Sequence, residues 1–180
     1  MRKLKTIELD RLSVEAFKAA EKMPLAVVLD NVRSLYNVGS VFRTADAFRV
    51  KTIWLCGITA TPPDVQIHKT ALGAEESVDW RYAATTEEAV RTLREEGYYI
   101  YSVEQVEGSD NLLTLSLPED RNKFAVILGH EVKGVSQEVV NVSDACIEIP
   151  QQGTKHSLNV SVTAGIVMWE FYKRWKGLFG

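Results

Sequence analysis

Three stretches of this sequence carry polar residues at spacings that could serve chemistry. In residues 30–48 an apolar run ends at Asp30, a polar loop follows, and Asn37 precedes Arg43 by six positions. Six residues are close to two helical turns, so a capping Asn37 and the Arg43 guanidinium could face one cavity. Equally, Asn37 could be only a cap and Arg43 only a surface ion-pair partner. In residues 126–136 an apolar run enters Gly129, Glu131 follows, and Gly134 restarts the chain. Glycine at a strand end lets a ligand approach the backbone closely, whereas a tight turn with a solvated glutamate needs no ligand. In residues 149–162 the loop QQGTKH leads to Ser157 and Asn159. A carboxylate, a guanidinium, amides and a hydroxyl can hold and orient a polar ligand if the fold brings them together.

The scaffold that would do so is legible as alternating elements. Apolar segments at 25–30, 52–56, 98–103, 123–129 and 145–149 are short, rich in β-branched and aromatic residues, and bounded by turn residues. They read as strands buried on both faces. Ser13 can cap a helix over VEAFKAAEK, and Thr85 with Glu88 makes a capping-box pattern before a helix that Gly97 ends. The expected fold class is therefore α/β, a mainly parallel sheet with helices on both faces. Such sheets bind ligands beyond the carboxyl ends of their strands, which singles out the loops after Asp30, Val103, Leu128 and Ile149.

The segment 157–163 is ambiguous. Its strict polar and apolar alternation taken alone argues for a strand. Yet Val160, Ala164, Val167, Phe171 and Trp175 fall at i, i+4, i+7, i+11 and i+15, one face of a helix. The helical reading leaves Ser157 and Asn159 in the approach to that helix, where side chains and free N–H groups point out of the sheet. The same helix is apolar on more than one face, through Ile166, Met168, Trp169, Phe171, Tyr172 and Trp175, which anticipates a second buried surface.

Composition and missing motifs narrow the chemistry. With 180 residues the chain fits one domain, and residues 1–23 read as a basic N-terminal extension forming one helix. No apolar stretch is long enough to span a bilayer and no signal peptide is evident, so a soluble cytoplasmic protein without a membrane partner is expected. Net charge is −3, which gives no global attraction for nucleic acid, although basic residues concentrate in the first 51 and last 8 positions. Cys56 and Cys146 sit in apolar runs and read as buried free thiols. The patterns GxGxxG, Walker A, HExxH and GxSxG are absent, and the three histidines lie in separate elements, so no metal site is expected.

Taken together, Asn37-x5-Arg43, Leu128-Gly129-x-Glu131-x2-Gly134 and Ile149-Pro150-x2-Gly153-x3-Ser157-Leu158-Asn159-Val160-Ser161-Val162 resemble the three motifs of the SpoU, or TrmH-like, RNA ribose methyltransferases of the SPOUT superfamily. The resemblance covers residues 24–175, in the family's order. It implies a SPOUT methyltransferase domain over residues 24–180, with a deep trefoil knot near the carboxyl end, and usually a homodimer. It implies S-adenosyl-L-methionine as cofactor and RNA as partner, tRNA favoured over rRNA, with a ribose 2′-hydroxyl as acceptor. The catalytic set it implies is Arg43, Asn37, Glu131, Ser157 and Asn159; the cofactor-binding set is Val103, Leu128, Gly129, Ile149, Gln151, Ser157 and Leu158. Gln151 departs from the methionine frequent at that position, and no added RNA-binding domain precedes the motifs. The rival readings are a catalytically silent RNA-binding protein on the same fold and a SPOUT enzyme that methylates a base.

Overall fold

Leu25, Val27 and Leu29 point to one side of strand β1 (Met23–Asp30) and Ala26 and Val28 to the other, and all five are fully or nearly fully buried. Apolar residues at both parities require a strand covered on both faces. In the computed structural model, which describes residues 1–177, β1 lies inside a parallel sheet of seven strands. Positions 178–180, the end of the expected domain, lie outside the described residues.

The other strands are β2 (Val50–Cys56), β3 (Trp80–Ala83), β4 (Tyr99–Val103), β5 (Asp110–Asn111), β6 (Phe124–Leu128) and β7 (Ala145–Glu148). Their order across the sheet is β3-β2-β1-β6-β4-β7-β5, every pairing parallel. Five of the seven match the strands expected from sequence; β3 and β5 are additional. Both are edge strands. β3 carries exposed Arg81 and Tyr82, and β5 is a two-residue polar piece held by pairing with Ile147 and Glu148.

Helices cover both faces, as expected. One face carries α1 (Val14–Ala19), α2 (Leu35–Ala47), α3 (Val65–Ala71), α4 (Ala74–Ser77) and α7 (Val160–Trp175), whose buried residues join the larger core cluster. The other carries α5 (Thr86–Glu95) and α6 (Gln137–Val142), which pack Ala89, Val90, Leu93 and Val139 on Ala26, Val28 and Ile127. Gly39 of α2 faces Thr70 and the Ile67 carbonyl of α3, so closely that a Cβ would not fit. Thr85 caps α5 through the Glu88 N–H at 3.2 Å, while the Glu88 carboxylate accepts from Ala84 rather than closing the box on Thr85.

The N-terminal extension is not one helix. A short 3₁₀ turn over Thr6–Leu9 stops at Asp10, whose φ of 45° is left-handed, and Ser13 starts α1 afresh by accepting from the Ala16 N–H. Phe17 anchors this segment in the core at 5% exposure.

The sheet order also departs from chain order. β4 and β5 are joined by residues 104–109, yet β7 lies between them, and β6 has entered on the opposite side of β4. The return from β5 to β6 packs Leu112 and Leu115 on the α7 face, where the Arg174 guanidinium donates to the Leu115 carbonyl at 2.6 Å.

Candidate active site

The carboxyl ends of β1, β4, β6 and β7 meet near the middle of the sheet, and the loops leaving them are tied together by side chains. Asp30, buried at the end of β1, accepts from Thr86 Oγ1 at 2.6 Å and Asn31 Nδ2 at 2.8 Å, and from the Ser136 N–H at 3.4 Å. It thereby holds the N-terminus of α5 and the far end of the loop after β6.

Helix α2 begins at Leu35, capped by Ser34, whose Oγ accepts from the Asn37 N–H at 3.3 Å. Asn37 is thus inside the first turn, not the cap. This frees its side chain to bridge two other segments. Nδ2 donates to Glu131 Oε1 at 3.2 Å, and Oδ1 accepts from Asn159 Nδ2 at 3.2 Å. Glu131 also accepts from the backbone N–H groups of Ser34 at 2.9 Å and Arg33 at 3.1 Å. A carboxylate from a loop 97 residues away in sequence therefore satisfies the start of α2, where helix N–H groups are otherwise unpaired.

Burial alone would raise the Glu131 pKa. The N–H donations of Arg33, Ser34 and its own backbone, with the Asn37 amide, outweigh it and hold the carboxyl below the usual range. Glu131 is accordingly an ionised anchor at neutral pH, a poor general base. Because its folded pKa is depressed, its stabilisation is complete above the unfolded value, about 4.3, and is lost as pH falls through the folded value. Glu131→Gln is expected to melt below wild type at pH 7, and the gap is expected to close as the pH falls below the unfolded value and through the folded one, as thermal denaturation followed across that acid range will read.

Asn159 is the cap of α7, with Oδ1 accepting from the N–H groups of Ser161 at 2.9 Å and Val162 at 3.4 Å. No strand runs across 157–162: the alternation there belongs to a loop that turns into a helix. Val160, Ala164, Val167 and Phe171 are buried, with Trp175 partly so. Asn159→Ala is expected to cost about 1 kcal/mol of stability through the cap and to break the link to Asn37. Asn159→Asp is expected to keep the cap and lose only the link, so comparing melting temperature with ligand affinity in the two variants separates the roles.

Around these contacts lies a cavity of about 550 Å³, within the usual range for small-molecule sites. Val103, Leu128, Gly129, Glu131, Ile149, Gln151, Ser157, Leu158 and Asn159 all line it. Asn37 touches the lining through Glu131 and Asn159. Arg43 does not line this cavity; it is exposed further along α2 and borders a second depression.

The narrow loop 129–134 explains both glycines of that motif. His130 and Gly134 exchange backbone hydrogen bonds of 2.8 and 3.1 Å, bringing Gly129 against the Gly134 and Val135 backbone. Gly134 has φ of 68° and abuts the Glu104 carboxylate. Glu104 is a site residue that the motifs do not contain: Oε2 accepts from the Val135 N–H at 2.9 Å and Oε1 from the Gln105 N–H at 2.8 Å. Gln105 in turn donates to the His156 carbonyl at 3.2 Å. The available signal was position, since Glu104 is the first residue beyond β4 at the ligand-binding edge.

Cys56 is buried, and that burial outweighs a Thr86 hydrogen bond that lowers the pKa and, with a smaller push from the charge of Asp30, drives its thiol up to about 12. Cys146 is only half-buried. Among the described residues no cluster of His, Cys, Asp and Glu could hold a metal ion, and no helix is long and apolar enough to cross a membrane.

A parallel α/β sheet with a ligand-sized cavity across the carboxyl ends of β4, β6 and β7 defines an α/β domain built to bind a small molecule beside a polar cluster. The SpoU rRNA Methylase family profile matches residues 24–169, and the chain belongs to that family. It is 30% identical over 163 residues to a tRNA (guanosine(18)-2'-O)-methyltransferase of Thermus thermophilus, covering 91% of this chain and 81% of that protein. It is 31% identical over 150 residues to the 23S rRNA (guanosine-2'-O-)-methyltransferase RlmB of Nitrosomonas europaea, covering 83% and 56%. A crystal structure of an AdoMet-bound rRNA methyltransferase from Sinorhizobium meliloti superposes with a TM-score of 0.76 at 27% identity, over 88% of this chain and 59% of that one. Two further curated relatives are spanned over 61% and 63% of their length, so this chain corresponds to about three fifths of several of its relatives.

Proposed function

We propose that this protein transfers a methyl group from S-adenosyl-L-methionine to a ribose 2′-hydroxyl of RNA, acting in the cytoplasm and on tRNA in preference to rRNA. The observation that carries the reading is the Glu131–Asn37–Asn159 relay, which joins three separate chain segments at the rim of one cavity. The lining suits the cofactor. Val103, Leu128, Ile149 and Leu158 offer apolar surface for a flat ring, and main-chain groups at Gly129, Ile149 and Leu158 can meet its polar edges.

When bound, the cofactor would supply an electrophilic methyl group on a positively charged sulfur, the C–O bond forming as the S–C bond breaks to leave the neutral thioether, with the hydroxyl proton passing to solvent. The residues align the 2′-oxygen with it, a contribution of position more than of acid–base chemistry. Glu131, ionised and already accepting from three groups, fixes Asn37 and the start of α2 and does not take the hydroxyl proton. Ser157 and Asn159 present polar groups at the cavity rim for the ribose. Arg43 stands about 9 Å beyond Asn37 along α2, where a phosphate next to the bound ribose would lie. Guanidinium donates and does not accept, so its role is to anchor that phosphate and thereby hold the ribose in place.

The functional unit we propose is a homodimer. Val162, Ile166 and Trp169 follow one another at i, i+4 and i+7 on α7 and remain 51%, 38% and 48% exposed, an apolar strip that a second copy would cover. Light scattering on the eluting protein decides between one chain and two. We also place a trefoil knot where β7 passes between β4 and β5 beneath the segment 104–109; pulled from its ends, a knotted chain extends short of its full contour length.

Two experiments test the activity. Titration calorimetry with S-adenosyl-L-methionine is expected to show binding, and mapping of ribose methylation in total RNA from a deletion strain is expected to lack a site present in the parent. An unchanged methylation map, with no cofactor binding, sinks the proposal in favour of a silent RNA-binding protein.

A further inference from the structure

The second depression of the molecule, about 640 Å³, lies on the α2 face away from the cofactor cavity. Its walls come from four places: the N-terminal segment around Arg11, the second half of α2 with Arg43 and the following Arg49, the turn from α3 into α4 with Leu72 and Glu76, and the end of α7 with Trp175 and Lys176. Arg11 and Lys176 lie outside the stretch matched by the family profile, residues 24–169.

The arginines are distributed unevenly with respect to ion pairing. The chain has ten, and among the described residues five of them, Arg2, Arg81, Arg94, Arg121 and Arg174, sit in ion pairs with carboxylates. Of the other five, three line this one depression: Arg11, Arg43 and Arg49. Carboxylates are at hand, since Asp10, Asp46 and Glu76 also line it, yet none of them forms an ion pair with the three arginines, and Asp46 accepts instead from Ser77 Oγ at 2.5 Å. Guanidiniums gathered without a protein partner are suited to external oxyanions, which they bind with planar, paired donors. The rings of Tyr172 and Trp175 line the same depression, and basic groups interleaved with aromatic faces suit a single-stranded nucleic acid better than a free anion.

Resting on the proposed RNA activity, we infer that this depression is a second RNA site: Arg11, Arg49 and Lys176 hold phosphates of the strand flanking the target nucleotide, with Arg43 linking it to the cofactor cavity. The N-terminal segment thereby forms one wall of the substrate groove, anchored by Phe17. This accounts for RNA binding by a chain with net charge −3, because the attraction is local to the groove.

The test uses the whole chain and unfractionated tRNA. Affinity is measured by filter binding across a salt series for wild type, Arg11→Ala/Arg49→Ala and Arg11→Lys/Arg49→Lys, with cofactor affinity measured by calorimetry on each. The alanine pair is expected to weaken tRNA binding by about tenfold or more and to flatten the salt slope by about 1.4, the contribution of two single-strand phosphates at about 0.7 each. The lysine pair is expected to recover most of the affinity, and cofactor binding is expected to stay at the wild-type value throughout. Wild-type affinity and slope in the alanine pair overturn the groove, even where methyl transfer proceeds and the proposed activity stands. A folded wild type that binds no tRNA at all overturns both.

Discussion

Gly129→Ala is expected to abolish cofactor binding while leaving the sheet intact. The added Cβ would meet the Gly134 carbonyl group and the Val135 nitrogen, all backbone atoms, so no side chain can swing aside. The loop that closes the cavity must open instead. Overpacking of this kind costs about 1–3 kcal/mol, which for a chain of this size corresponds to a drop in melting temperature of about 3–10 °C. The effect on the ligand should be greater than on the fold, because Gly129 and Val135 both line the cavity. Calorimetry is expected to show affinity weakened by at least about a hundredfold, about 2.7 kcal/mol. Gly134→Ala should behave similarly for a different reason, its left-handed φ of 68° and its contact with Glu104.

Arg43→Ala is expected to leave cofactor binding and melting temperature unchanged and to lower methyl transfer by about a hundredfold or more, the scale of misplacing a bound reactant by about 1 Å. The first half follows from the structure: Arg43 is exposed, holds no ion pair among the described residues, and stands outside the cofactor cavity. The second follows from the proposed phosphate role. Arg43→Lys separates charge from geometry, since an ammonium keeps the charge and loses the paired planar donors. If geometry matters, lysine restores RNA affinity more than turnover. Wild-type turnover in the alanine variant would remove Arg43 from the site.

The central strands are legible in the sequence because their environment is uniform. β1 and β6 are apolar at both parities since helices cover both faces, and so is β2 over Ile53, Trp54, Leu55 and Cys56. The edges are not, because β3 and β5 satisfy only one neighbour and tolerate polar residues. Sequence misplaces Asn37 by one turn for a local reason: Ser34 and Asn37 are both good caps, and a distant residue, Glu131, decides between them. It also draws the N-terminal helix too long, because Asp10 breaks it by adopting a left-handed conformation that its side chain does not announce.

At the site, the loops that meet at the cavity are readable from the strand ends and the residues that share it from the motif resemblance, and their connections are not. Nothing in the sequence joins Glu131 to the Arg33 and Ser34 N–H groups or Asn159 to Asn37, since these contacts depend on how the β6 and β7 loops return to β1. Glu104 escapes notice because one glutamate after a strand looks like any solvated residue until Gly134 and Val135 are brought against it. Helical spacing allows Asn37 and Arg43 to face one cavity, and the structure places Arg43 outside the one that Asn37 borders.

The account is tested most directly by incubating the protein with tRNA and methyl-labelled S-adenosyl-L-methionine, then digesting the RNA to nucleosides and locating the label by mass spectrometry. It expects labelled 2′-O-methyl ribose at a discrete nucleotide. Label on a base, or none while both cofactor and tRNA are bound, contradicts it.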